Sequence, residues 1–266
     1  MADIPDRTPS LCIGILALNE AHRIERCIRS AAFADQIVVI DSGSTDGTWE
    51  IARDLGVQVQ LYPEWQGFAE QRNRLMRHVS TDYIFFLDAD EVIPEGLQDE
   101  IRAAVASGEN AVWKIYWDQV AFGRSLHRMA KTEGGVWRLF RVDQLLRYDG
   151  VVHEHAVLRD PATPVRAFRH RLLHHSRESV YGSLLKMAQY AQLGAVRRRE
   201  AGRQGGVLRG LASAISNFIR LYLFRRGFLC GAEGFLFCLL VALECFFRYA
   251  ILRYDAPVAG ETMVKR

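Results

Sequence analysis

No Gly-x-Gly-x-x-Gly follows the first apolar strand of this chain, and no phosphate-binding loop of the Gly-Lys-Ser/Thr type occurs in it. By motif, then, it is neither a dinucleotide dehydrogenase nor a nucleotide triphosphatase. Cysteine is sparse: Cys12, Cys27, Cys230, Cys238 and Cys245 make an odd count without a Cys-x-x-Cys pair. That excludes a disulfide framework and points to a reduced compartment with buried thiols. The N-terminus is polar and offers no apolar core for a secretion signal, so the expected location is cytoplasmic. Net charge is only +3 and no aromatic-plus-basic nucleic-acid motif is present, which leaves nucleic acid out as a partner. There is no internal repeat or low-complexity region. An uninterrupted apolar run of the roughly 20 residues that span a bilayer is also missing. The most apolar region, Ser213–Tyr254, is broken by Arg220, Arg225-Arg226, Glu233, Glu244 and Arg248, and its clean stretch is only Gly234–Leu243.

What remains is a globular composition, 49% hydrophobic and 24% charged over 266 residues. Apolar strands at Leu11–Leu16, Gln36–Ile40, Val57–Leu61 and Tyr83–Leu87 alternate with helices to about Ala32, over Thr48–Leu55, over Ala69–His78 and over Pro94–Ser107. This alternation predicts an α/β fold with a parallel, Rossmann-like sheet and helices on both faces. Ala111–Val120 and Val136–Val142 read as further strands, flanking a polar segment, Gly123–Gly134, able to close over a substrate. After Ser176 long helices take over, beginning with Ser179–Arg199.

The chemistry concentrates at strand ends. Asp88-Ala89-Asp90 follows the buried run Tyr83–Leu87, where open α/β sheets hold ligands. Two carboxylates so close call for a cation, and Mg²⁺ or Mn²⁺ holding a diphosphate would supply it. The plainer reading is an acidic turn before a helix. Asp41 ends the second strand and opens the turn Ser42-Gly43-Ser44-Thr45-Asp46-Gly47-Thr48. With Asn19-Glu20 at the neighbouring strand end, it is placed to accept hydrogen bonds from a ribose hydroxyl or a base N–H. Asp46, beside the helix start, reads as an N-cap.

Together, Ala17-Leu18-Asn19-Glu20, Val38-Val39-Ile40-Asp41-Ser42-Gly43-Ser44-Thr45-Asp46-Gly47-Thr48 and Asp88-Ala89-Asp90 resemble, in order and spacing, the family-2 inverting glycosyltransferases of the GT-A fold. The resemblance implies that Ala17, Asn19, Glu20, Asp41, Asp88 and Ala89 hold the nucleotide part of a UDP-sugar. It assigns Asp90, with Asp88 and His174, to a Mg²⁺ or Mn²⁺ ion. Gln71-Arg72-Asn73 is similar to the family's Ala-Arg-Asn motif, which brings Arg72 to the nucleotide; Gln71 replaces the usual small residue. Trp137-Arg138-Leu139-Phe140-Arg141, Tyr148-x-Gly150-Val151-Val152-His153-Glu154 and Leu172-Leu173-His174-His175-Ser176 look like the lipopolysaccharide core glucosyltransferase branch. So does Arg226-Gly227-Phe228-Leu229, although Cys230-Gly231 stands where the branch has Asp-Gly.

Inverting transfer needs one general base and no covalent nucleophile. Glu154 is the candidate, and Asp149 is its rival or a mere turn residue. His153 and His155 flank Glu154 and would face the other side of an extended strand. Of Arg138 and Arg141, spaced three apart, only one is expected to steady the leaving diphosphate. Trp137 reads as a sugar platform or as core. The expected architecture is a catalytic domain over 1–176, with nucleotide-binding (11–92) and acceptor (93–176) parts, and a helical region over 177–266. That helical region carries Phe218, Tyr222, Phe224, Phe228, Phe235, Phe237, Phe246 and Phe247 beside arginine pairs, and reads as amphipathic and peripheral to an anionic inner-membrane surface. The function expected is transfer of a hexose, glucose from UDP-glucose, to a lipid-linked glycan acceptor, a lipopolysaccharide inner-core sugar such as heptose. The rivals are a polyprenyl-phosphate glycosyltransferase and a non-catalytic sugar-nucleotide-binding scaffold at the membrane.

Overall fold

Strands β1 (Leu11–Ala17), β2 (Gln36–Asp41) and β4 (Tyr83–Asp88) are runs of aliphatic and aromatic residues buried on both faces. Such strands need a layer on each side. The computed structural model describes residues 7–129, 134–150 and 154–255. In it α1 (Ile24–Ser30), α2 (Thr48–Asp54), β3 (Gln58–Leu61) and α3 (Phe68–Met76) complete the first alternating segment. Its four strands are parallel, in the spatial order β3-β2-β1-β4. The chain moves outward from β1 to β3 and then returns to the other side of β1. The order reverses between β1 and β4, so the ligand crevice falls at their carboxyl ends. The end of β1 with Asn19-Glu20, Asp41 and Asp88-Asp90 all lie at that edge.

The next elements are β5 (Glu91–Val92), α4 (Glu95–Ala106), β6 (Val112–Ile115), β7 (Trp117–Ala121), β8 (Arg124–Ser125) and β9 (Val136–Arg141). They are followed by β10 (Leu145–Asp149), β11 (His155–Leu158), β12 (Val165–Ala167) and β13 (Leu172–Arg177). The main sheet has seven strands in the order β12-β6-β9-β4-β1-β2-β3. It is mixed rather than wholly parallel, because β9 runs antiparallel to both β4 and β6. A strand entering antiparallel needs no crossover helix, and among the described residues no α-helix lies between α4 and β9. The single strand expected over Ala111–Val120 divides at Tyr116 into β6 and β7.

Alternate residues of β1 and β4 build two cores. Ile13, Ile15, Phe85 and Leu87 pack with Ile24 and Cys27 of α1 and Leu97 and Ile101 of α4. Cys12, Ile84 and Phe86 pack with Leu75 of α3 and with Leu145 and Tyr148 of β10. Helix α3 lies directly on β1: a Cβ at Gly14 would run into the Leu75 side chain. Helices thus cover both faces, as the strand pattern requires.

The chain divides into two compact units, one of 7–117, 134–150 and 154–174 and one of 118–129 and 175–255. The second unit contains α5 (Val180–Glu200), α6 (Val207–Ile219) and α7 (Gly231–Tyr254). A π turn (Arg220–Phe224) and a 3₁₀ turn (Gly227–Cys230) connect the last two helices. The Ser179 Oγ caps α5 by accepting from the Gly182 N–H at 3.0 Å. Two segments, Val207–Phe224 and Gly227–Tyr254, are long and apolar enough to cross a membrane by length and composition. The charges read as interruptions are partly neutralised within the unit, since Glu244 pairs with Arg248 at 2.5 Å and with Arg177 at 3.7 Å. All five cysteines are buried and free of disulfides.

Asp82, just before β4, ties that strand to the start of β1. Its carboxylate accepts from the Ser10 N–H and Oγ–H, both at 2.7 Å, and from Arg7 at 2.8 Å. These donors, the Ser10 backbone first, hold the Asp82 carboxyl below its usual range. A depressed carboxyl stabilises the fold above its unfolded value of about 3.9 and ceases to do so as pH falls through the folded value. Asp82→Asn is therefore expected to lower the urea midpoint at neutral pH, and the gap from wild type should close under acid. A gap that is independent of pH would assign the effect to packing.

Candidate active site

The turn after β2 is built around one buried carboxylate. Asp41 is fully buried, and its Oδ1 accepts from the N–H groups of Gly43 at 2.8 Å and Ser44 at 2.7 Å. Its other oxygen, Oδ2, is buried without a partner among the described residues. A buried, unsatisfied carboxylate oxygen costs free energy unless a ligand donor completes it. Asn19 sits in the left-handed region at φ 56°. Its Oδ1 accepts from the Thr45 N–H at 2.9 Å, and its own N–H donates to the Ser44 Oγ at 2.8 Å. Asn19 thus shapes the turn by locking the ends of β1 and β2 together. The Ala17 carbonyl accepts from the Ser42 N–H at 2.9 Å, and Glu20 accepts from Arg23 at 2.8 Å. The N-cap of α2 is Gly47, not Asp46. Asp46 lies one residue earlier, accepting from the Thr48 N–H at 3.1 Å and the Ala21 N–H at 3.0 Å. It braces the same two loops.

Helix α3 presents Gln71, Arg72 and Asn73 in three directions. Gln71, fully buried, donates to the Ser42 Oγ at 2.9 Å and the Tyr62 carbonyl at 3.1 Å, work that a small residue could not do. Asn73 clasps β10, donating to the Tyr148 carbonyl at 3.0 Å and accepting from the Tyr148 N–H at 2.7 Å. Arg72 donates to the Glu154 Oε1 at 2.8 Å and lies 3.6 Å from the Asp88 Oδ1. Its guanidinium stands over the Tyr148 ring at 5.2 Å.

Arg138 of β9 reaches across to the end of β4. It is buried to 2% exposure, and its Nη2 donates to the Asp88 Oδ2 at 2.8 Å and the Glu91 Oε1 at 2.7 Å. Glu91 also accepts from the Trp117 indole N–H at 2.5 Å and the Asp88 N–H at 2.9 Å. Burial would raise the Asp88 carboxyl, but the Arg138 and Arg72 charges outweigh it and hold Asp88 well below its usual range. Burial pushes Glu91 up to about 7 against the pull of Arg138. Arg141, at the other end of β9, pairs with Asp143 at 3.0 Å and takes no part. Only one of the two arginines stands at the acidic end.

Asp90 meets β13 rather than Arg138. Its Oδ2 lies 3.2 Å from the His174 Nε2, because β13 pairs with β5 and sets His174 opposite Glu91. Burial would lower the His174 pKa, but its hydrogen bond with Asp90 outweighs that and raises it. One carboxylate and one imidazole are a set that a divalent ion sharing diphosphate oxygens can use. Among the described residues, no group of three or more His, Cys, Asp or Glu could hold an ion by itself. Ala89 is buried between the two aspartates. Asp149 and His155 are exposed and pair across β10 and β11; Asp149 is the last residue of β10 rather than a turn residue, and accepts from the Gly150 N–H at 2.8 Å. Trp137 is exposed on β9, outside the core. His153 lies outside the described residues.

A model of glycosyl transferase family 2 matches residues 12–157, more than half of the chain. The chain belongs to this family. It is a glycosyltransferase with the α/β core of the GT-A fold. It is 30% identical over 241 residues to the lipopolysaccharide core biosynthesis glycosyltransferase LpsC of Rhizobium meliloti (strain 1021), covering 87% of each chain. It is 29% identical to an uncharacterized glycosyltransferase of Rickettsia bellii (strain RML369-C), covering 92% of this chain and 87% of that one. Among solved structures, glucosyl-3-phosphoglycerate synthase from Mycobacterium tuberculosis is 28% identical, with a TM-score of 0.37. That alignment covers 41% of this chain and 44% of the synthase, so the glycosyltransferase spans less than half of the solved chain it matches.

Glu91, Trp117, Asn73 and Tyr148 were not singled out from sequence as site residues. Removing the cation that pairs with the buried Glu91 and the partly exposed Asp88 leaves both carboxylates uncompensated. Arg138→Leu is expected to destabilise the protein by about 3–5 kcal/mol, read by urea denaturation. A loss below about 1 kcal/mol would make the cluster no stronger than a surface ion pair.

Proposed function

We propose that this glycosyltransferase moves a hexose, glucose from UDP-glucose, with inversion onto an inner-core sugar of lipopolysaccharide at the cytoplasmic face of the inner membrane. The observation that carries the reading is the convergence of Asp41, Asp88, Arg72, Asp90, His174 and Glu154 at the carboxyl edge of β1, β2 and β4. The 30% identity with a lipopolysaccharide core glycosyltransferase over 87% of both chains supports the acceptor class.

In this reading the unpartnered Asp41 Oδ2 accepts the N–H of the uracil ring, and Ala17, Asn19 and Glu20 frame the nucleoside. Asp88, kept ionised by Arg138 and Arg72, accepts from the ribose. Asp90 and His174 hold Mg²⁺ or Mn²⁺, which when bound neutralises charge on the leaving diphosphate. Glu154 takes the proton from the acceptor hydroxyl as that oxygen attacks the anomeric carbon and UDP departs from the opposite side. Arg72, bonded to Glu154 and close to Asp88, sets the base relative to the donor. Charged partners held in place before the reaction lower its barrier more than groups that must reorganise.

Two variants test this. Glu154→Gln is expected to lower turnover by roughly 10²–10⁴-fold while calorimetry still detects UDP binding; undiminished turnover would remove Glu154 as the base. Asp90→Ala is expected to abolish the increase in UDP affinity that Mn²⁺ produces in wild type, and a retained increase would place the ion elsewhere. The pH dependence has a definite sign. A raised His174 pKa means that a proton competes with the ion from above the ordinary histidine range. Mn²⁺-supported UDP affinity should therefore fall as pH is lowered through that range.

A further inference from the structure

Helix α6 is inside out for a helix in water. Its outward stripe is Leu208, Leu211, Ile215 and Ile219, with Leu208 82% and Ile215 56% exposed. Its inward side is small or polar: Gly210, Ser213, Ala214 and Asn217. Gly210 is buried against Phe246 of α7, where a Cβ would come within 3.1 Å of the ring, and the Gly206 N–H donates to the Tyr249 carbonyl at 2.9 Å. Close backbone approach through small residues, with the large apolar residues turned out, is how helices pack when their outer surroundings are hydrocarbon. The stripe continues past α6 through Leu223 and Phe224, which is 80% exposed.

The charge around the stripe is of one sign. Between Glu200 and Glu233 the chain has no carboxylate and five arginines: Arg203, Arg209, Arg220, Arg225 and Arg226. Arg209 and Arg220 lie on one edge of the stripe, roughly 115–135° round the axis from its centre. Both donate to neutral groups, Arg209 to Gln204 and Arg220 to Asn217. The aromatic residues expected to form the apolar face are partly diverted. Phe218, Tyr222 and Phe235 pack on one another, with ring centroids 5.1–5.8 Å apart.

We infer that α6 docks in the plane of an anionic bilayer surface, with Leu208, Leu211, Ile215 and Ile219 in the acyl boundary and Arg209 and Arg220 at the phosphate level. This deepens the proposed membrane-face acceptor reading by assigning the surface that meets the lipid. In-plane seating follows from the one-sided pattern. The inner face of α6 is taken by α7, so only one stripe is open to lipid, with Arg209 and Arg220 on the same edge of it, near its two ends. A spanning helix would be apolar all round.

The test is flotation of the full chain with vesicles of phosphatidylethanolamine and phosphatidylglycerol, against phosphatidylcholine alone. Wild type is expected to float with the anionic vesicles and to be released by salt. Leu211→Glu with Ile215→Glu should abolish flotation, and Arg209→Gln with Arg220→Gln should weaken it about fivefold per arginine. An unchanged helical circular dichroism signal serves as the folding check, because these positions are in the other compact unit from the nucleotide residues and UDP titration would not report on them. Equal flotation of wild type and the glutamate variant overturns the inference. So does a wild type that ignores both vesicles and whose dimer, seen by light scattering, the glutamates dissolve; the stripe would then be an interface between copies. Flotation that persists where UDP fails to bind would sink the donor reading and leave this surface standing.

Discussion

Asp88 and Glu91 bring two carboxylates to the end of one buried strand, and Arg138 is what lets them stay there. A carboxylate taken out of water must be paired, hydrogen-bonded or protonated. Arg138 supplies both the charge and the two short bonds from a single Nη2. This need explains a feature of topology that local patterns do not. Strand β9 must lie beside β4, running antiparallel, to carry a guanidinium to that end. The same run also carries Arg141 to the far end, where it answers Asp143 instead.

The loops at the carboxyl edge of β1 and β2 are braced for a related reason. Asn19, Ser44, Thr45, Asp46 and Thr48 bond the loop after β1 to the turn after β2. Gln71 then ties that turn to α3 through Ser42. Among the buried side-chain polar atoms of this rim, the Asp41 Oδ2 stands without a partner among the described residues. A rim already ordered loses little conformational entropy when it accepts a ligand. Gln71 departs from the small residue usual in similar sequences, and the Ser42 bond is its physical reason.

The first four strands, their order along the chain and the acidic strand ends were legible because they rest on local signals. Apolar runs mark strands, glycine and polar turns end them, and carboxylates stand where the runs stop. What was hidden depends on pairing at long range. Arg138 is 50 residues from Asp88 and Arg72 is 82 from Glu154, so neither bond has a sequence signature. The antiparallel entry of β9 and the break at Tyr116 escaped for the same reason: a short apolar run does not state its direction. Glu91 and Trp117 were legible only as residue types. A glutamate directly after an acidic pair was a signal that a cation had to be near, since three carboxylates within four residues repel. The charges in the last helix misled in the opposite sense. Glu244 looked like an interruption of an apolar segment, whereas Arg177 and Arg248 meet it within the fold.

Asp88 and Asp90, one residue apart, end in different electrical surroundings, and that difference divides their work. Asp88 closes a strand that pairs with β1, and its side chain faces Arg138 and Arg72. Asp90 lies past the strand end, where β5 turns to pair with β13, and it faces His174. A carboxylate held between two guanidiniums is a poor competitor for a metal ion, because binding the ion means giving up charge it has already neutralised. A carboxylate beside an imidazole is a better one, because the imidazole can release its proton and join the ion as a second ligand. In the proposed reaction the pair therefore does not act as two equivalent ligands. In that reading Asp88 belongs with the fixed cations of the protein and Asp90 with the exchangeable one.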